Sequence, residues 1–124
     1  MNLAILAIEQ GDLPQARLLL RQASQIYLDL QRIGTIPTIL DGFARLAAAE
    51  GRARRAVRLA GAATSQREQL NVVQTPRGEV ELERSLRQAR AALSAEAHHA
   101  VRVEGRAMTR EQALAYALAT LNPA

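Results

Sequence analysis

Displaced by forty positions, the chain lies over itself, with Leu3–Leu30 aligned to Phe43–Leu70. Ala4, Leu6, Ala7, Gly11, Ala16, Leu19, Ala23 and Leu30 meet identical residues at Ala44, Leu46, Ala47, Gly51, Ala56, Leu59, Ala63 and Leu70. Those eight identities compare with roughly three expected by chance from so biased a composition, and their order matters more than their number. Each unit runs from a short apolar stripe through a glycine into a longer apolar stripe. A unit of that kind cannot bury its apolar face alone and has to stack on a neighbour. The alphabet decides what the stripes are. Ala (25 residues) and Leu (18) dominate, aromatic residues are 2% and Trp is absent. Strong helix formers with almost nothing to pack on a pleated surface predict an all-α chain.

Helix signals divide the units. Leu3, Leu6 and Ala7 form one stripe that Gly11 ends as a left-handed cap. Asp12 supplies the next N-cap, with Gln15 placed for a capping box and Pro14 in the first turn, where no donor is lost. Leu13, Ala16, Leu19, Leu20, Ala23, Ile26, Tyr27 and Leu30 then recur at helical spacing until Ile33-Gly34. Pro37 restarts the chain, Ile39, Leu40, Phe43, Leu46 and Ala47 form a stripe, Gly51 turns, and Ala56, Leu59, Ala60, Ala63 and Leu70 complete the second unit. Ala at 16, 23, 56 and 63 lets paired helices approach closely, and a mid-helix Gly61 predicts a further close approach by the helix that follows.

After residues 71–74 the pattern loosens. Thr75 and Pro76 open a helix carrying Leu82, Leu86, Ala89 and Leu93, with Glu83 and Arg87 spaced as a surface pair. Ser94 opens another, carrying Ala97, Ala100, Val101 and Val103 and ending near Gly105. Thr109 to Gln112 is a capping box for a last helix with Leu114, Ala117, Leu118 and Leu121, stopped by Asn122-Pro123. The expected architecture is a single domain spanning 1–124, a short α-solenoid of antiparallel helix pairs with about seven helices. Its repeat units are 1–33 and 36–71, and degenerate capping helices occupy 75–121.

Several function classes drop out. With no Cys there is no disulfide, no thiolate nucleophile and no thiolate metal site. No apolar run reaches membrane-spanning length and no signal-peptide pattern leads the chain, so a cytoplasmic location is expected. The net charge of +4 hints at nucleic acid, yet all 16 basic residues are Arg, spread along the chain, and Lys is absent. That bias fits the codon usage of a GC-rich genome better than selection for phosphate contact. His98 and His99, the only histidines, point about 100° apart on a helix and cannot share a metal. Ser24, Ser65, Ser85 and Ser94 lack the partners of a nucleophilic site, and no carboxylates converge in an apolar setting. The reading is therefore of a non-enzyme with no catalytic residue, cofactor or metal.

Gly11 with Ala16 and Ala23, and Gly51 with Ala56 and Ala63, resemble the turn and small positions of tetratricopeptide repeats. The forty-residue spacing exceeds the usual length of about thirty-four and implies longer helices. Arg58-Leu59-Ala60-Gly61-Ala62-Ala63 with Arg67-Glu68, and Glu104-Gly105-Arg106-Ala107-Met108-Thr109 followed by Glu111-Gln112-Ala113 and Tyr116-Ala117-Leu118, resemble motifs in the C-terminal helical arms of large bacterial regulators. These are the LuxR-type and related ATP-dependent transcriptional regulators, and some multidomain kinases and cyclases. The resemblance spans nearly the whole chain and implies a tetratricopeptide-like arm behind a nucleotide-binding or kinase module, often with a DNA-binding helix-turn-helix. This sequence holds neither a phosphate-cradling Gly loop with its Lys nor a basic recognition helix. Its opening helix is also shorter than its counterpart, so the chain is expected to be a piece of a larger protein.

Two groups of residues are candidates for partner contact. Arg52, Arg54, Arg55 and Arg58 crowd the start of a helix, where the macrodipole disfavours each cation by roughly 0.3–1 kcal/mol. They read as a surface for an acidic partner or neighbouring domain, against the plainer reading that long Arg side chains simply reach solvent. The resemblance implies a second surface, since the first helix of each tetratricopeptide pair lines a concave face. That places Ile5, Ile8, Thr38, Asp41, Arg45 and Ala48 there. Arg45 suits a carboxylate, while Ile5 and Ile8 suit apolar side chains or burial against an upstream repeat. The expected function is a protein-interaction scaffold whose partner is a protein, a peptide, other domains of the parent or a second copy as a homodimer. A nucleic-acid accessory module using the Arg surface is the alternative.

Overall fold

Gly11 and Gly51 share one backbone solution, with φ at +77° and +76°. In the first unit Gly11 N–H donates to the Ile8 carbonyl (3.0 Å) and Asp12 N–H to Ala7 (2.8 Å). In the second, Gly51 N–H donates to Ala48 (3.1 Å) and Arg52 N–H to Ala47 (2.9 Å). A side chain at either glycine would be strained by that φ, which is why both repeats turn at the same place.

The computed structural model describes residues 2–30 and 32–119. Among the described residues the chain is all-helical, with no strand. Helices α1 (Asn2–Glu9) and α2 (Leu13–Leu30) form the first unit, and α3 (Ile36–Ala49) and α4 (Ala53–Leu70) the second. A single 3-10 turn, Ile33–Thr35, joins them. Then follow α5 (Pro76–Ala91), α6 (Ala95–Arg106) and α7 (Arg110–Ala119). The expected seven helices are present, and none is long and apolar enough to cross a membrane among the described residues. The proposed end at Leu121 and Asn122-Pro123 lies outside the described residues.

Caps set the boundaries largely as the sequence implies. Thr75 accepts from Gly78 N–H (3.0 Å) and Ser94 from Ala97 N–H (3.1 Å). At α7 the box is reciprocal: Thr109 Oγ1 accepts from Gln112 N–H (3.1 Å), and Gln112 Oε1 from Thr109 N–H (2.9 Å). At α2 Asp12 accepts from Gln15 N–H, but its own N–H is committed to the Gly11 turn, so the return bond from Gln15 is not needed. Asn71, with φ +55°, ends α4 in the left-handed conformation that asparagine tolerates.

The core is centred on α3. Ile36, Ile39, Leu40, Phe43 and Leu46 are buried, together with Leu20 of α2, Leu59 of α4 and Leu86 of α5. Ala16, Ala56 and Ala63 are fully buried, as small residues between close helices should be, and Ala23 is half-buried. Helix α3 packs on α2, α4 and α5. Helix α4 takes α6 along another side, and α7 rests on α3 and α4.

Two expectations change. The close approach at Gly61 comes from α6, not from the next helix in sequence: a Cβ there would lie 2.6 Å from the Arg102 carbonyl oxygen. Helix α6 ends at Arg106, next to Gly105 as expected, and a Cβ on Gly105 would collide with the Arg58 carbonyl. The two glycines face each other's helices, so α4 and α6 meet backbone to backbone. Finally, Glu83 pairs with Arg90, two turns along α5, rather than with Arg87.

Candidate interaction surface

The arginines at the start of α4 divide by what they touch. Arg55 donates to the Tyr116 carbonyl (2.7 Å), and its guanidinium lies 4.3 Å from the centre of the Tyr116 ring. Arg58 donates to the Tyr116 hydroxyl (2.6 Å) and reaches Glu104 at 3.5 Å. Tyr116 stands in the C-terminal half of α7, so a guanidinium there approaches the negative end of the helix dipole. The cost of a cation at the start of α4 is thus offset at the end of α7. Burial, then repulsion from Arg52 and Arg58, lowers the pKa of Arg55 against the opposing pull of Tyr116 and Glu50. Arg55 and Arg58 therefore clasp α7 to α4. Arg52 and Arg54 remain exposed and project from the same rim, beside Leu93.

The second candidate group is also split by packing. Asp41 is mostly buried and ion-paired to Arg67, tying α3 to α4. Burial pushes its carboxyl up to about 6, although Arg67, Arg45 and Gln74 all favour the charged form. An acid held this way is part of the fold and is not free to meet a partner. Arg45 is half-buried on the same helix and Thr38 is exposed. On α1, Ile5 and Ile8 are both half-buried, and Ile8 packs against the core.

The apolar stripe of α1 is left partly bare at its leucines. Leu3 is 66% and Leu6 47% exposed, while Ala4 and Ala7 beside them are buried. Their counterparts forty residues on, Phe43 and Leu46, are each 1% exposed. Leu18, Ile26 and Leu30 of α2 add further bare apolar surface. The signal was available in the alignment, because a repeat position that needs a neighbour on its far side has none in the first unit. Tyr116 was passed over for a different reason, since a single aromatic on a short helix carries no pattern until its two arginines are seen.

Among the described residues no three His, Asp or Glu side chains gather in a way that would hold a metal. No protein-family model, characterised protein or solved structure is significantly similar to this chain.

Proposed function

We propose that this chain is a protein-interaction scaffold, a tetratricopeptide-like C-terminal helical arm of a multidomain bacterial transcriptional regulator or signalling protein. The observation that carries the reading is the bare apolar stripe of Leu3 and Leu6, in a unit whose repeat counterpart is fully covered. Exposed apolar surface in a repeat position built to be buried marks a docking end. Its occupant is a neighbouring helix pair, supplied by the rest of a parent protein, a partner or a second copy. The resemblance of the residue 58–68 and 104–118 motifs to the arms of LuxR-type regulators supports the regulatory setting. The alternative, nucleic-acid contact through the start of α4, is weakened by Arg55 and Arg58 being engaged with Tyr116.

Two measurements test the reading. Alone in solution, the chain should self-associate through α1, and a Leu3→Gln/Leu6→Gln double variant should sediment as a folded monomer. A wild-type chain that stays monomeric at high micromolar concentration would count against a docking role for this end. Titration with duplex DNA at two salt concentrations separates the alternative: tight binding that weakens steeply with salt would favour it.

A further inference from the structure

A cleft lined by α4, α5 and α6 opens beside these surfaces. It encloses 660 Å³, within the range of about 300–1,000 Å³ common to small-molecule sites. Its existence follows from the glycines. Gly61 and Gly105 bring α6 down to backbone contact with α4, and the strip of α4 that lines the cleft carries Val57, Ala60, Gly61 and Thr64, followed by Arg67, which is paired to Asp41, and Glu68. The side chains of Val57, Ala60 and Thr64 are too short to fill the gap, and Leu82 of α5 and Val72 extend its apolar lining.

One end of the cleft is cationic. His98 and Arg102 are four residues apart and share a face of α6, and Arg90 of α5 lines the same cleft. The side chain of Arg102 has no hydrogen-bond or ion-pair partner among the described residues, the neighbouring Glu68 being held by Arg106. Arg90 is paired to Glu83 through one terminal nitrogen, while its Nε is buried and unpartnered. Burial and then the charge of Arg102 lower the pKa of Arg90, and burial followed by Arg90, Arg102 and His99 lowers that of His98. The carboxylates of the cleft do not relieve this crowding. Glu68, the acid that Arg102 influences, is held bidentately by Arg106 (2.8 and 3.2 Å). Glu83 is already taken by Arg90, and Glu79 stands eleven positions before Arg90, roughly 16 Å along α5 at about 1.5 Å per residue.

We propose that this cleft binds a small organic anion, its carboxylate or phosphate group held by Arg102 and the Nε of Arg90 beside His98, and its apolar body laid over Val57, Ala60 and Leu82. A guanidinium with a free planar edge suits either oxyanion. The small apolar floor sets the preference for an anion with a flat or short hydrocarbon part over a bare inorganic ion.

The test is a titration of the full chain with phenyl phosphate, benzoate and inorganic phosphate, followed by amide and imidazole resonances. Phenyl phosphate or benzoate should shift Gly61, His98 and Arg102 saturably and bind at least tenfold more tightly than inorganic phosphate. Arg102→Gln, at an exposed position, should weaken binding tenfold or more with an unchanged amide spectrum elsewhere, and His98→Gln should weaken it less. Unchanged binding in Arg102→Gln, or shifts confined to the Arg52–Arg58 rim, would overturn the proposal. A third arm presents the same phosphate on a phosphotyrosine decapeptide. Binding of the peptide without binding of the free probes would make this a partner-recognition groove and would equally overturn a small-ligand site.

Discussion

The two repeat units have the same pattern and opposite surroundings. Leu6 and Leu46 occupy the same place in the forty-residue alignment, as do Leu3 and Phe43, yet the second unit's residues are each 1% exposed while Leu6 is 47% and Leu3 66% exposed. Local sequence gave each unit the same helices and the same glycine turn. Burial came from neighbours: α3 has α1, α2, α4, α5 and α7 against it, whereas α1 rests mainly on α2 and α3 among the described residues. In a repeat fold, position in the stack therefore decides what an apolar residue is worth.

The largest effects should follow that division. Phe43→Ala is expected to cost about 3–5 kcal/mol and Leu46→Ala about 2–5 kcal/mol, through lost transfer energy and the cavity left behind. Leu3→Ala and Leu6→Ala in the monomeric chain should cost less than about 1 kcal/mol, because about two thirds of Leu3 and nearly half of Leu6 are already in water. Urea midpoints of the four variants make the comparison, and equal losses in the two units would break it.

A second contrast is electrostatic. The second unit buries a carboxylate at Asp41, whereas the acid of α1, Glu9, is exposed. Because Asp41's folded pKa is raised to about 6 from 3.8, the folded state binds the extra proton between those values. Its contribution to stability is fully present below pH 3.8 and is lost as pH rises through about 6, an effect of up to about 3 kcal/mol. Glu68 works in the opposite sense, since Arg106 lowers its pKa and its contribution fades as pH falls below 4.5. Carboxyl resonances should show an Asp41 midpoint near 6, and Asp41→Asn should remove the decline in stability across pH 4–6. A midpoint below 4 would mean that the Arg67 pair outweighs burial.

The third contrast concerns what lands on the second helix of each unit. Gly61 of α4 receives α6, and its counterpart in α2 is Arg21, which is exposed. Gly105→Ala and Gly61→Ala should each cost about 1–3 kcal/mol despite alanine's better helix propensity, because the added methyl meets backbone that cannot rotate away. Arg21→Ala should stay within about 0.5 kcal/mol.

These contrasts also mark how far the sequence can be read. The helices, the glycine turns and the caps at Thr75, Ser94 and Thr109 are local devices, each written within four or five residues, and they were legible. The partner of Gly61 was not, because a glycine signals that something comes close without saying which helix. Arg52, Arg54, Arg55 and Arg58 were visible as a broken dipole rule, but the relief of two of them depends on Tyr116, about sixty residues away. Asp41 could not be told from a groove residue by type alone, since only the position of Arg67 turns it inward. The cleft is the extreme case, for its floor, walls and charges come from three helices that no periodicity connects.

The smallest expected effect is the most discriminating. Gly11 and Gly51 have the same φ within a degree, and a Cβ on either would meet nothing within 4 Å. Gly11→Ala and Gly51→Ala should therefore carry the same local penalty of about 1 kcal/mol, set by backbone strain alone. Whether that penalty reaches the global unfolding transition depends on coupling. If α1 opens with the rest, both substitutions shift the urea midpoint equally. If the bare first unit frays as a separate unit, Gly51→Ala shifts the midpoint, whereas Gly11→Ala leaves it in place and instead speeds hydrogen exchange within α1 about fivefold, the rate equivalent of about 1 kcal/mol. Covering Leu3 and Leu6 with a partner should then restore the equality, because a stack with no bare end has no unit free to open by itself.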